Sequence, residues 1–175
     1  IEPKLRTSIV EGIAVFLSLF DENQALKRVF CPPKACFDPG LNADGHLGRP
    51  LPPFADVIER GLVCALNFPM AANPSLARIV GTMMKQDFQR AVLSRIPTMK
   101  TRGASRREVL FLCDEYHAFA TAGEDDPTGD EKFFSLSRQA KCIAIVATQS
   151  LSSLKSALPG DTWRTLLQTF RTKVF

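Results

Sequence analysis

Two short apolar runs constrain this chain most: Val109–Cys113 (VLFLC) and Cys142–Thr148 (CIAIVAT). Each is bounded by polar residues and has the length and composition of a strand buried on both faces. A stretch with helical spacing, roughly 131–140, separates them, and Thr128 and Glu131 stand three apart at its start, as in a capping box. Gly61–Phe68 (GLVCALNF) has the same buried-strand signature upstream. Apolar strands separated by helices predict an α/β fold, a mostly parallel sheet with helices on both faces.

The intervening helices have readable ends. Asn73-Pro74 places asparagine at a cap and proline at the first helical position. Leu76, Ile79, Val80, Met83, Met84, Phe88, Ala91 and Val92 follow with a period near 3.6, and Pro97 closes the helix. Ser150–Leu158 predicts a short helix, Asp161 caps another to about Arg171, and Thr172–Phe175 begins a fourth strand. Near the start, residues 4–20 read as a helix apolar nearly all round, hence covered on several sides. Its most apolar part, Ile9–Phe20, is too short to span a bilayer. Asp21 opens a second helix to about Val29. Six prolines and three glycines then fall between Cys31 and Phe54, marking a linker or long ordered loop. The expected organisation is a helical segment over 1–30, a Pro/Gly-rich linker over 31–57 and an α/β unit over 58–175.

Composition narrows the class. With 45% hydrophobic and 23% charged residues, the chain is neither disordered nor fibrous. A net charge of +4 permits nucleic-acid contact without requiring it. Five cysteines, an odd number, do not form a disulfide framework and point to a reducing compartment. Cys64, Cys113 and Cys142 lie in apolar runs as small hydrophobes. The chain opens at Ile1 without methionine or signal peptide and ends at Phe175 in an apolar run, so it is expected to be a fragment.

In open parallel sheets, ligands bind at the carboxyl ends of the strands. The run Val109–Cys113 ends in Asp114-Glu115, the Walker B pattern of nucleoside triphosphatases. A buried strand delivers both carboxylates to the active edge. Asp114 is placed to hold the hydrated magnesium that bridges the phosphates. Glu115 is placed to orient and polarise the attacking water. The alternative is a strand running into an acidic, solvated loop.

The next run ends in Thr148-Gln149-Ser150. Gln149 either senses a γ-phosphate beside the magnesium carboxylates or caps the helix after it. Arg138, eleven residues earlier, either reaches a neighbouring subunit's nucleotide as an arginine finger or favours its own helix C-terminus. His117 reads as a support for the carboxylates or as structural. Cys31, Cys36 and His46 have the wrong spacing for zinc and lack a fourth ligand. Lys100, Arg102, Arg106 and Arg107 form a basic loop at the amino end of the Walker B strand. Glu124, Asp125 and Asp126 lack the spacing of a calcium loop. Trp163 and Phe170 read as core rather than a base-stacking platform.

The segments EVLFLCDEYHAFAT, SRQAKCIAIVATQSLSSLKSAL and WRTLLQTFRTKVF together resemble the TraG/TraD-type coupling proteins of conjugative type IV secretion. The resemblance covers about 58–175 and is densest over 108–175. It implies a RecA-like hexameric ATPase, anchored in the bacterial inner membrane through a segment outside this chain and acting at its cytoplasmic face. It implies ATP and magnesium as cofactors. It further implies single-stranded DNA, a relaxase or relaxosome, and secretion-channel proteins as partners. On it, Asp114 is magnesium ligand, Glu115 catalytic carboxylate, Gln149 sensor and Arg138 candidate finger, with Asp114, Glu115 and Gln149 facing the nucleotide. Residues 1–30 would be the end of the family's helical insertion domain.

Two departures matter. The sequence has no Gly-Lys dipeptide, so no phosphate-binding Walker A loop. This stretch alone is therefore expected to be inactive, with the missing strand upstream. The segment Ala122–Asp130 is longer and more acidic than the family's usual connection. A channel-assembly ATPase or an FtsK-like DNA pump shares the same motifs. A non-catalytic docking module with a vestigial site is the reading of another class.

Overall fold

The computed structural model describes residues 3–48, 50–101, 107–122, 129–158 and 160–174. It has two compact units, residues 1–52 and 53–175. The basic loop's Arg102 and Arg106 and the acidic cluster Glu124–Asp126 lie outside the described residues, as does Thr128 of the expected capping box.

In the first unit, α1 (Pro3–Glu22) is followed by α2 (Gln24–Phe30), with Phe20 edge-on to Phe30 at 5.5 Å. The expectation of a helix covered on several sides is not met: Leu5, Ile9, Val10, Ile13, Val15 and Leu17 are all exposed, Val15 at 69%. One seven-residue partner helix cannot cover an apolar surface that runs all round a twenty-residue one. The Pro-rich stretch is an ordered loop folded around Asn42. The Asn42 amide donates to the carbonyls of Cys36 and Gly48 (3.0 and 2.8 Å) and accepts from the Leu47 N–H (3.0 Å).

The second unit is mixed α/β. It runs α3 (Phe54–Arg60), α4 (Pro74–Leu93), β1 (Val109–Cys113), α5 (Asp130–Ser137), β2 (Cys142–Val146), α6 (Leu151–Ala157) and α7 (Thr162–Thr169). The α3 helix, which straddles the expected boundary between linker and α/β unit, ends on Gly61 at φ 67°, a left-handed position that glycine takes without penalty. Asn73 caps α4 as its sequence predicts, accepting from the Leu76 N–H at 3.1 Å. Asp161 stands at the start of α7 but makes no capping bond; its carboxylate pairs with Arg164 at 3.1 Å instead.

β1 and β2 pair in parallel, Val109 opposite Cys142 through Cys113 opposite Val146. Arg95 ties their amino ends together, donating to the carbonyls of Ala140 (3.0 Å) and Arg107 (2.7 Å). One sheet face carries Phe111, stacked on Phe88 of α4 at 5.2 Å and near Phe134 of α5 at 6.4 Å. Phe170 packs on Phe134 at 4.9 Å, and Trp163 also joins this core.

The other face departs from expectation. Leu110, Leu112, Ile143 and Ile145 are 52–68% exposed, so among the described residues helices cover one face of this sheet and not both. Residues 62–69 form no strand, and Val63 is 97% exposed. A strand exists only where a neighbour supplies a ladder, and no described segment pairs with this one. The same holds at the far end, where 172–174 form no strand.

The contact between α4 and the chain after β1 is close. An ideal Cβ on Gly81 would stand 2.3 Å from the Phe119 ring, which is itself buried. Gly81→Ala gains about 0.5–1 kcal/mol of helix propensity and costs about 1–3 kcal/mol in overpacking. The expected net is a lowered melting temperature. A raised one would mean that the ring moves aside freely.

Candidate functional site at the carboxyl edge of the sheet

Because β1 and β2 are parallel and in register, their ends emerge at the same height. The ladder continues one step past the strands: the Ala147 N–H donates to Cys113 O (2.9 Å) and the Tyr116 N–H to Ala147 O (2.8 Å). Asp114 and Glu115 therefore sit beside Thr148 and Gln149. The Gln149 amide donates to Glu115 Oε1 at 2.7 Å. It does not cap α6; Ser150 does, accepting from the Ser153 N–H at 3.1 Å. Asp114 is exposed, and its Oδ1 accepts the Glu115 N–H at 2.8 Å.

Glu115 itself has φ 49° and ψ 37°, the left-handed region that a non-glycine residue occupies only when its surroundings hold it. Three contacts hold it: its own N–H on Asp114, the next N–H on Ala147, and its side chain on Gln149. His117 adds another, Nε2 standing 3.5 Å from Glu115 Oε2, while Nδ1 lies 3.1 Å from Thr148 Oγ1. His117 also lines a cleft of about 470 Å³ with Arg78, Ser152, Ser153 and Ser156.

Arg138 is elsewhere. It is exposed, in the 3-10 turn Arg138–Ala140 that leads into β2, and so lies at the opposite end of that strand from Gln149.

Beneath the site lies a buried polar cluster that the helical periodicity does not reveal. Asp130, at the start of α5, accepts from Lys85 Nζ (2.6 and 2.7 Å), Gln89 Nε2 (2.7 Å) and the Thr121 N–H (2.8 Å), and from the Tyr116 hydroxyl. Lys85 also donates to Thr121 Oγ1 at 3.1 Å. Burial pulls the Lys85 ammonium below its ordinary pKa, and Asp130 partly restores it. Burial, then the Asp130 charge, raises the Tyr116 phenol far above its usual range. The Cys113 and Cys142 thiols are each pushed up by burial to about 11 and are therefore poor nucleophiles at neutral pH. The cluster pins Tyr116, the residue next to Glu115, and joins both ends of the acidic segment, since the Asp130 N–H also donates to Thr121 O at 3.2 Å.

The donor set fits magnesium in part. Asp114 presents carboxylate oxygens of the kind that ion takes, with its remaining positions left to water and phosphate. The sequence supplies no glycine-rich cradle for those phosphates. Among the described residues no three His, Cys, Asp or Glu side chains gather as a metal site; His46 pairs with Asp44 at 2.5 Å, and the Cys36 thiol donates to Leu47 O. No described helix is long and apolar enough to cross a membrane. Comparison with family models, curated proteins and solved structures returned no match.

Proposed function

We propose that the chain is the later part of a RecA-like nucleotide-binding domain in a coupling ATPase of conjugative type IV secretion. The complete protein hydrolyses Mg-ATP and moves single-stranded DNA, with its relaxase, toward the secretion channel. The observation that carries this reading is the 2.7 Å hydrogen bond from Gln149 to Glu115 across the ends of two parallel strands. A carboxylate that polarises water and an amide that senses the γ-phosphate belong in contact, so that loss of the phosphate is felt by both. Asp114 beside them would hold the magnesium, which supplies charge neutralisation on the phosphates. The strain kept at Glu115 supports the same reading, because such strain clusters where geometry serves chemistry. Arg138, exposed on the amino edge, is offered as the finger toward a neighbouring subunit of a hexamer.

The test is ATP turnover by the complete protein with and without single-stranded DNA. Turnover stimulated by DNA, and further by relaxase, is expected. Turnover indifferent to DNA would move the reading to a channel-assembly ATPase. No turnover by an assembled, folded protein would favour the docking module.

A further inference from the structure

We infer that His117 is a positioning residue for Glu115, held in one tautomer by Thr148; the inference rests on the reading of Glu115 as the water-polarising carboxylate. The two oxygens of Glu115 have different keepers. Oε1 accepts from Gln149 at 2.7 Å, and Oε2 faces His117 Nε2 at 3.5 Å. Behind the ring, Nδ1 meets Thr148 Oγ1 at 3.1 Å. Thr148 and Gln149 are consecutive, so the tip of one strand grips both sides of one carboxylate, directly through the amide and indirectly through the imidazole.

The chemistry fixes the direction. A neutral imidazole has one N–H and one lone pair. If the Thr148 hydroxyl donates to Nδ1, the proton must be on Nε2, where it points at a carboxylate oxygen. The opposite tautomer would set a lone pair against Glu115. The Thr148 hydroxyl has a second acceptor within reach, Ser150 O at 3.3 Å, but Nδ1 is the nearer at 3.1 Å. The 3.5 Å approach is long for a hydrogen bond, as contacts in ligand-free sites commonly are before they tighten.

This second grip has a purpose that Gln149 cannot serve. An amide that turns toward a γ-phosphate must release Glu115 Oε1. His117 then still holds Oε2, and the carboxylate keeps its orientation while water attacks the γ-phosphate. His117 also lines the cleft with Arg78 and the α6 serines, and its side chain keeps 23% of its surface exposed.

The chain has only two histidines, His46 and His117, which makes the first test direct. Imidazole 15N spectra of the chain, with His46→Gln for assignment, are expected to put the His117 proton on Nε2. Thr148→Val is expected to release that preference. A ring protonated on Nδ1 alone, or a spectrum that Thr148→Val leaves unmoved, would overturn the inference without touching the ATPase reading.

In the complete protein, His117→Ala is expected to lower kcat about 10- to 100-fold, the usual effect of misplacing a reacting group. KM for ATP and the melting temperature should hold. His117→Gln, which keeps an N–H near the Nε2 position, should recover part of the loss. Thr148→Val added to His117→Ala should cost nothing more, because the two act in series. An unchanged kcat in His117→Ala, where Glu115→Gln abolishes turnover, would sink the positioning role. If Glu115→Gln itself has no effect, the functional reading falls and takes that role with it, while the ring spectrum still decides whether Thr148 holds the imidazole.

Discussion

Asp130→Ala is expected to destabilise the second unit by about 3–5 kcal/mol, the range for breaking one side of a buried ion pair. The loss is large because the carboxylate serves several partners at once. Without it, Lys85, only 5% exposed, loses the carboxylate that offsets the burial of its ammonium, and the donors of Gln89, Tyr116 and Thr121 lose their acceptor. A domain of this size has about 5–15 kcal/mol in total, so the variant should unfold at much lower urea. Lys85→Met combined with Asp130→Leu removes both charges and should recover part of the deficit. Equilibrium urea denaturation of the three chains measures this. A single-variant loss below about 1 kcal/mol would mean that water reaches the cluster and replaces the carboxylate.

Glu115→Gln should lower DNA-stimulated ATP hydrolysis in the complete protein by about 10²- to 10⁴-fold, the range over which a positioned base contributes. The replacement keeps the side chain's shape and one carbonyl oxygen, so Gln149 retains an acceptor and the fold should melt at the same temperature. What it removes is basicity. Nucleotide affinity should persist, because the substitution leaves Asp114 in place. Residual turnover within threefold of the parent would transfer the base to another group and end the Walker B assignment.

The parts legible in the sequence are those with a local cause. Val109–Cys113 and Cys142–Val146 declare themselves by unbroken apolar runs, and Asn73-Pro74 by its capping chemistry. Asp114, Glu115 and Gln149 are readable because each lies within three residues of a strand's carboxyl end, and parallel register then brings those ends level. The illegible parts depend on partners far along the chain. Lys85 and Gln89, four apart on α4, look like the solvent face of an amphipathic helix. The buried side is in fact Ala77, Val80, Gly81, Lys85, Gln89 and Val92, while Leu76, Ile79, Met83 and Met84 are only partly buried. The difference comes from Asp130, 45 residues beyond Lys85, which makes a charged side chain tolerable in the core. In the sequence His117 is legible only as a neighbour of the carboxylates; its tie to Thr148, 31 residues away, has no local signal. Strand pairing fails locally too: GLVCALNF has a strand's composition, but composition cannot provide the neighbouring ladder.

The left-handed backbone at Glu115 sets stability and chemistry against each other at a single codon. Glycine or asparagine would relax that turn, and either would remove the carboxylate. A population of variants screened for heat resistance alone should therefore drift away from glutamate here, and the drift would be visible before any neighbouring position changed. Screens that also demand turnover should hold it fixed.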